Sequence, residues 1–347
     1  MNEQSNELVE GHWGTYRPEV ERVFYGFPPL RPHLYEYLAE RPPGFALGRD
    51  WIERWIVTEH LGDRVPFPEC VSLCCGFGEV EQLLAGLGIF DHCVGIDLAE
   101  QAVATARREA QEAGVGEMLD FRAGDLNALE LDPNSVDLVW SNGALHHLSE
   151  LEHIATQAYR ALRPGGVLVA VEYTGPNLNL PSARHRELIN AAVHVIPPRL
   201  RSTTEATFIP SRFKAPGKRQ RAYRAVRKVL RPLRRSEFRF GKVWDSDPWY
   251  TAKVDPSEGV RAEEIIAVLR DTFDEIEVRG FGGSLLQWAL DPTFYERFDE
   301  SAETDARVLA TLVELERGLI ASGELEHANS IIFARKRAPA SGQAEPN

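Results

Sequence analysis

The sequence predicts an α/β fold, a parallel, doubly wound sheet with helices on both faces. Three observations carry that expectation. Five strand-like apolar runs alternate with helical patterns over about 105 residues that end at Tyr173. The first strand-to-helix junction is a glycine turn, Gly76-Phe77-Gly78. The second strand ends in an acid, Asp97, 21 residues beyond Gly76. That distance takes a chain through one helix and back to the neighbouring strand tip, so ligands are expected at the sheet's carboxyl edge.

Residues 1–65 read as helices and loops. Leu34, Tyr37 and Leu38 share one face of RPHLYEYLAERPP, and Trp51, Ile52, Trp55, Ile56 and His60 or Leu61 recur at helical spacing in GRDWIERWIVTEHLG. Their aromatic residues are expected to pack. Trp13-Gly14-Thr15-Tyr16-Arg17 precedes any strong periodicity and can instead fold over a ligand as a lid.

In VSLCCGFGEVEQLL, Val71, Leu73 and Cys75 alternate with Ser72 and Cys74, which predicts a short buried strand; Val80, Leu83 and Leu84 then mark a helix from Glu79. Strand, glycine turn and helix form a nucleotide-type site, because glycine lets a ligand approach the backbone and the helix start supplies free N–H groups. A dinucleotide is disfavoured. Its G-x-G-x-x-G fingerprint wants a small residue at position 81, where Glu81 stands, and Glu79 with Glu81 puts two carboxylates where a pyrophosphate would sit. S-adenosylmethionine, with an ammonium, a sulfonium and no phosphate, suffers no such repulsion. The other reading of the two glutamates is that they complement the helix dipole.

His92-Cys93-Val94-Gly95-Ile96-Asp97 is the second strand, and a carboxylate at its tip can accept both ribose hydroxyls; the alternative is that Asp97 caps the helix starting near Ala99. A helix from Glu100 to Ala113 leads to a third strand around Leu119–Arg122, then to Asp125, an acceptor placed for the exocyclic amine of adenine. The fourth strand and its exit loop span Ser135–Gly143, followed by Ala144-Leu145-His146-His147-Leu148. A helix from about Glu150 to Leu162 stops at Arg163-Pro164-Gly165-Gly166, and Val167–Tyr173 is the fifth strand. Residues 177–257 are too long for a loop and are expected to cap the acceptor site. Val260–Leu269 then reads as a helix, Glu275–Val278 as strand six, Ala306–Ile320 as a helix, and Ser330–Arg335 as a last strand antiparallel to strand six. The tail from Ala338 has a disordered composition.

The chain has 347 residues, 43% hydrophobic and 26% charged, which suits one large domain with insertions or two small ones. Cys70, Cys74, Cys75 and Cys93 lie in or beside apolar runs at no zinc or disulfide spacing, so buried reduced thiols are expected. The N-terminus lacks a basic head and an apolar core, and no run approaches the roughly 18 apolar residues of a spanning helix, which makes the cytoplasm the simplest compartment. Charge is uneven. Residues 199–242 carry 15 Lys and Arg against 2 Asp and Glu, which leaves 24 basic and 50 acidic residues elsewhere. Within that island Ala222, Ala225, Val226, Val229, Leu230 and Leu233 share a helical face, flanked by Lys218, Arg221, Arg224, Arg227, Lys228 and Arg231 and ended or kinked at Pro232. Such a helix pairs with the protein's own acidic body or a second subunit, binds an anionic acceptor such as a phosphorylated sugar or lipid, or touches an anionic membrane surface. The acidic remainder disfavours nucleic acid.

The succession SLCCGFG, VGIDLAE, FRAGDLN, DLVWSNGALHHL and LRPGGVLVAVEY resembles the ordered motifs of class I S-adenosylmethionine-dependent methyltransferases, over about residues 66–175. The resemblance implies a Rossmann-like seven-stranded sheet with strand seven antiparallel. The N-terminal extension (1–65) and the cap (177–257) flank a core of 66–176 and 258–337, with a tail of 338–347. It implies that Gly76 and Gly78 cradle the methionine, that Asp97 and the adjacent Leu98 hold the ribose, that Asp125 and Leu126 meet adenine, and that Asn142 and Gly143 line the floor near the methyl group. Two positions depart from the family pattern. Ser72 stands where an acid usually opens the glycine motif, and Cys74 replaces the usual first glycine, so the ammonium falls to backbone carbonyls or another acid. Val171–Pro176, Asp255–Glu258 and Phe281–Leu286 look similar to a bacterial subgroup often associated with glycan or specialised-metabolite pathways.

Methyl transfer is an in-line displacement that needs alignment, and a hydroxyl or ammonium acceptor must also lose a proton. Candidate bases at the tips of strands four and five are His146, His147, Glu172 and Tyr173. Adjacent histidines at a helix start point in different directions, so at most one is the base, and His147 is favoured. No side chains at metal-ligand spacing are evident, so no metal is expected. The sequence therefore predicts transfer to a small-molecule or glycan-type acceptor, at oxygen. Two classes compete: a non-catalytic module docking through the basic helix, and an RNA or protein methyltransferase. Against the latter, Ser141-Asn142-Gly143-Ala144 stands where amino-group enzymes of that kind carry N/D-P-P-Y/F.

Overall fold

Seven strands form a sheet in the order β3-β2-β1-β4-β5-β7-β6. They are β1 (Phe67–Leu73), β2 (Phe90–Asp97), β3 (Leu119–Ala123), β4 (Val136–Asn142), β5 (Leu162–Tyr173), β6 (Glu275–Gly280) and β7 (Asn329–Arg335). The first five pair in parallel, and β7 runs antiparallel between β5 and β6. The computed structural model describes residues 3–15, 24–201 and 255–338. The basic helix expected around 218–233, most of the cap, Tyr16 and Arg17 of the lid stretch, and nearly all of the tail lie outside the described residues.

The central strands are apolar on both faces, as a sheet covered on both sides requires. Leu138, Trp140, Val167, Val169 and Phe333 face one core. Val139, Leu168, Ala170 and Ile332 face the other, on which the helices Leu151–Ala161 and Ile265–Thr272 pack. The N-terminal helices Arg31–Leu38 and Trp51–Ile56 seat their periodic residues in the first core, with Leu34, Trp51, Trp55 and Ile56 buried. Helix Ala183–Val195, in the described part of the segment expected to form the cap, begins where Ser182 Oγ accepts from His185 N, and it buries Ile189 and Ala192. Among the described residues no helix is long and apolar enough to cross a membrane.

Several elements differ from expectation. β1 starts at Phe67 and ends at Leu73, because Cys74 takes a left-handed φ of 52° and leaves the strand. β5 begins at Leu162 rather than Val167. Leu162 pairs with Val136, the register shifts, and the Arg163–Gly166 stop signal becomes an irregularity inside the strand, with Gly165 at φ 85°. The helix Glu3–Trp13 forms where no periodicity was evident, and the short helices Leu286–Ala289 and Pro292–Arg297 were not foreseen. All four cysteines are free, and Cys70, Cys75 and Cys93 are buried, while Cys74 is only partly so.

Candidate active site

The strand order reverses between β1 and β4, and a pocket of about 220 Å³ opens there at the carboxyl edge. Its walls come from the glycine turn, the tips of β2, β3 and β4, the helix Glu3–Trp13 and Ser257.

One end is organised by main-chain groups. Asp97 is 8% exposed, and its two oxygens accept from Gly76 N and Ala99 N, each at 2.8 Å. The carboxylate thus faces the glycine bend and lines the pocket. It also accepts from the residue that starts the next helix, which is the alternative weighed for it. A carboxylate offers about four lone-pair directions, so these N–H groups leave it acceptor capacity toward the pocket. Burial raises its pKa, while the N–H groups of Ala99, Gly76 and Leu98 pull it down. The Asp97 carbonyl accepts from Gly124 N at 2.8 Å, tying the β2 and β3 tips together. Beyond that link Asp125 accepts from both nitrogens of Asn127 at 2.9 and 3.1 Å. Asn127 in turn accepts from Ser149 N, Ser149 Oγ and Glu150 N, which binds β3 to the segment after β4. Leu98, Leu126, Asn142 and Gly143 line the pocket, and so do Cys74 and Gly76.

Ser72 and Gly78 do not line it. Gly78, at φ 73°, lies where an added Cβ would come within 2.7 Å of the Phe121 ring, so it serves packing beneath the turn. Ser72 donates to Glu81 Oε1 at 2.5 Å, and both side chains are buried. Glu81 is therefore neither at the ligand nor a simple dipole partner. Its carboxyl backs onto β1, and burial pushes its pKa up to about 7. Only Glu79 of that pair borders the pocket.

The opposite end is built from side chains. Glu172 Oε1 accepts from Ser141 Oγ at 2.8 Å and from Ala144 N and Leu145 N at 2.9 Å, and its Oε2 meets His146 Nδ1 at 2.9 Å. Burial alone would push His146 down and Glu172 up. Their mutual hydrogen bond and charge outweigh it, holding His146 above the usual imidazole value and Glu172 below the usual carboxylate value. The two shifts agree on a buried ion pair. The pair is an anchor, and neither residue lines the pocket. Tyr173 is also off it, donating to Pro176 O at 3.0 Å with a phenol raised by burial.

His147 does line the pocket. Its Nδ1 lies 3.0 Å from Ser257 Oγ, which itself donates to Asp255 Oδ1 at 2.5 Å. A carboxylate can only accept, so the serine spends its proton on Asp255 and must receive one from His147. That fixes the tautomer: Nδ1 carries the hydrogen and Nε2 keeps its lone pair. Burial lowers the His147 pKa, and the charged His146 ring 4.1 Å away lowers it further. Two adjacent imidazoles are thus pushed apart, His146 above and His147 below the usual imidazole value.

Trp13 closes this end, its indole edge-on to His147 at 5.3 Å and its Nε1 donating to Asp255 Oδ2 at 2.9 Å. Sequence reasoning missed the Trp13–Asp255 bond, the Ser257 relay and Asn127. The D-x-N pattern of Asp125–Asn127 was a readable turn signal; the other two join residues far apart in the chain. The fold also brings His146, His147 and Glu258 together, with one ligand atom from each lying within 4.8 Å of the others. No metal-ligand spacing in the sequence had suggested that.

Residues 71–170 match the family model described as a methyltransferase domain. The chain is similar to 27-O-demethylrifamycin SV methyltransferase of Amycolatopsis mediterranei, 31% identical over 148 residues, covering 40% of this chain and 54% of that protein. It is also similar to trans-aconitate 2-methyltransferase of Variovorax paradoxus, 33% identical over 119 residues, 33% of this chain and 44% of that one. The chain spans about half the length of the curated relatives it matches. Among solved structures, geranyl diphosphate C-methyltransferase from Streptomyces coelicolor A3(2) aligns over 96% of this chain and 98% of its own at 13% identity, with a TM-score of 0.46.

Proposed function

We infer that this chain, whose residues 71–170 match a methyltransferase-domain model and whose seven-stranded sheet has strand seven antiparallel, is a class I S-adenosylmethionine-dependent methyltransferase that transfers the donor's methyl group to a hydroxyl oxygen of a small-molecule or glycan-type acceptor. The observation that carries the reading is the two-ended pocket: an acid-and-glycine cradle at one end and a neutral imidazole at the other. Asp97 takes the ribose hydroxyls, Asp125 and Leu126 border the adenine, and Gly76 with Cys74 follows the methionine chain. Asn142 and Gly143 form the floor beneath the methyl group.

Transfer breaks the S–CH₃ bond as the O–CH₃ bond forms, leaving S-adenosylhomocysteine and a methyl ether. The acceptor's proton goes to Nε2 of His147, whose tautomer Ser257 and Asp255 set. Alignment supplies part of the roughly 7–11 kcal/mol available from orientation, and the base a further 10²–10⁴-fold. Trp13 closes the acceptor end, and the Lys- and Arg-rich composition of residues 199–242 suits an anionic acceptor.

Calorimetric titration with S-adenosylmethionine, followed by an isotope-labelled methyl-transfer screen against metabolite extracts, tests the reading. The expected result is saturable donor binding and label in an alkali-stable small product. Absence of donor binding at high protein concentration overturns it.

A further inference from the structure

The acceptor end holds more carboxylate than a base alone requires. Asp255 Oδ2 lies 3.6 Å from His147 Nδ1, and Glu258 Oε2 lies 3.9 Å from His147 Nε2. Among the described residues, neither acid has a Lys or Arg partner within ion-pair distance. Asn179 Nδ2 donates to Glu258 Oε1 at 2.9 Å, which leaves Oε2 turned toward the imidazoles.

We propose that His146, His147 and Glu258 form a binding site for one divalent first-row transition cation such as zinc. Four features support it. Both histidines are oriented through Nδ1, His146 by Glu172 and His147 by Ser257, which leaves Nε2 of each for a metal. Carboxylate-oriented imidazole is the usual partner arrangement of a metal-bound histidine. Two imidazoles and one carboxylate form a set that suits zinc and its neighbours rather than magnesium. The ligand atoms lie within 4.8 Å of one another, and side-chain rotation brings them toward the ~3.4 Å separation that bonds of about 2.1 Å give in a tetrahedron. His147 also borders the pocket, so the fourth position opens to a small molecule or water. Binding displaces the Nε2 proton of His146 to solvent, while Nδ1–H stays on Glu172.

The proposal rests on the reading of this end as the acceptor end, and it adds a consequence. The lone pair that makes His147 a base is the one a cation would take, so the two uses exclude each other. Zinc occupancy is therefore expected to lower turnover in proportion to the fraction bound.

The test is zinc binding by competition with a chromophoric chelator, and the visible spectrum of the cobalt-loaded protein. These are compared for wild type, Glu258→Gln and His147→Ala, with circular dichroism of each preparation as the check of folding and donor affinity measured alongside. The expected result is one zinc per wild-type chain, affinity at least tenfold weaker in each variant, and a cobalt spectrum free of thiolate bands. Equal zinc affinity in all three proteins, or a thiolate band pointing to Cys74, overturns the site while leaving the donor-binding reading untouched. Conversely, lost donor binding with intact zinc binding overturns the enzyme reading and spares the site.

Discussion

The two ends of the pocket are made by opposite means. The Asp97 end, proposed above as the donor end, uses backbone N–H groups and short-range acids from one stretch between Cys74 and Gly143. The His147 end, proposed as the acceptor end, uses side chains brought from far apart, of which Trp13 and Asp255 are separated by 242 positions. The first design follows from parallel strands ending at one edge, where loops and helix starts present N–H groups whatever the surrounding sequence. The second depends on particular side chains, so single substitutions there should alter chemistry with little effect on donor affinity.

The sharpest division between the ends comes from His147→Ala. It is expected to lower the rate of methyl transfer by roughly 10²–10³-fold, within the range of a lost general base. Calorimetry should find S-adenosylmethionine affinity within about twofold of wild type, since the imidazole lies at the other end. A parallel loss of donor binding would merge the two ends into one unit.

The converse change, Asp97→Ala, removes hydrogen bonds to a buried charged group and is expected to weaken the donor about a hundredfold. Secondary structure should persist in circular dichroism. Unaltered donor affinity would move the ribose elsewhere.

A pH experiment probes what lies beneath the donor end. Glu81 titrates near 7 in the folded protein against about 4.3 in the unfolded chain. A raised folded-state value means that the stabilisation is fully present below the unfolded value and is lost as pH rises through about 7. Between pH 5.5 and 8 the loss from this group should be about 2 kcal/mol. Urea denaturation should show that slope in wild type and a smaller one in Glu81→Gln. Equal slopes would mean that the carboxyl is ionised in place.

The smallest effect is expected from Trp13→Phe, which keeps a ring against His147 but deletes the Nε1 donor to Asp255. One hydrogen bond to a carboxylate contributes about 1.5–3 kcal/mol, less what water restores at a half-exposed site. A three- to tenfold rise in acceptor KM with unchanged donor affinity is expected from steady-state kinetics. A change in donor affinity instead would assign the N-terminal helix to the donor.

The same contrast explains what could be read in advance. The Asp97 end was legible as a pocket because its signals are local: a strand-like alternation, Gly76, and an acid one helix further on. Local reading did not separate the residues that line the pocket from three that lie beneath it. Ser72, Gly78 and Glu81 have the right spacing, yet they point beneath the turn, where Phe121 and β1 receive them. Direction from a glycine turn depends on the φ angles of Cys74, Gly76 and Gly78, which residue type alone does not fix. At the acceptor end, His147 could be proposed as a base because it follows β4 directly. Its tautomer could not, because Ser257 and Asp255 lie more than 100 positions further along the chain. The β5 irregularity was masked by a Pro-Gly-Gly run that reads as a plain stop.

The Trp13–Asp255 bond has a consequence for biosynthesis. A chain emerging from the ribosome has all five parallel strands once Tyr173 is out, so the donor cradle can form early. The indole has no carboxylate to hold until more than 80 further residues have been translated, and Ser257 reaches His147 only then. On the assignment proposed above, nascent chains acquire donor affinity before the His147 end is complete, and premature termination between those points leaves a donor-binding but idle fragment.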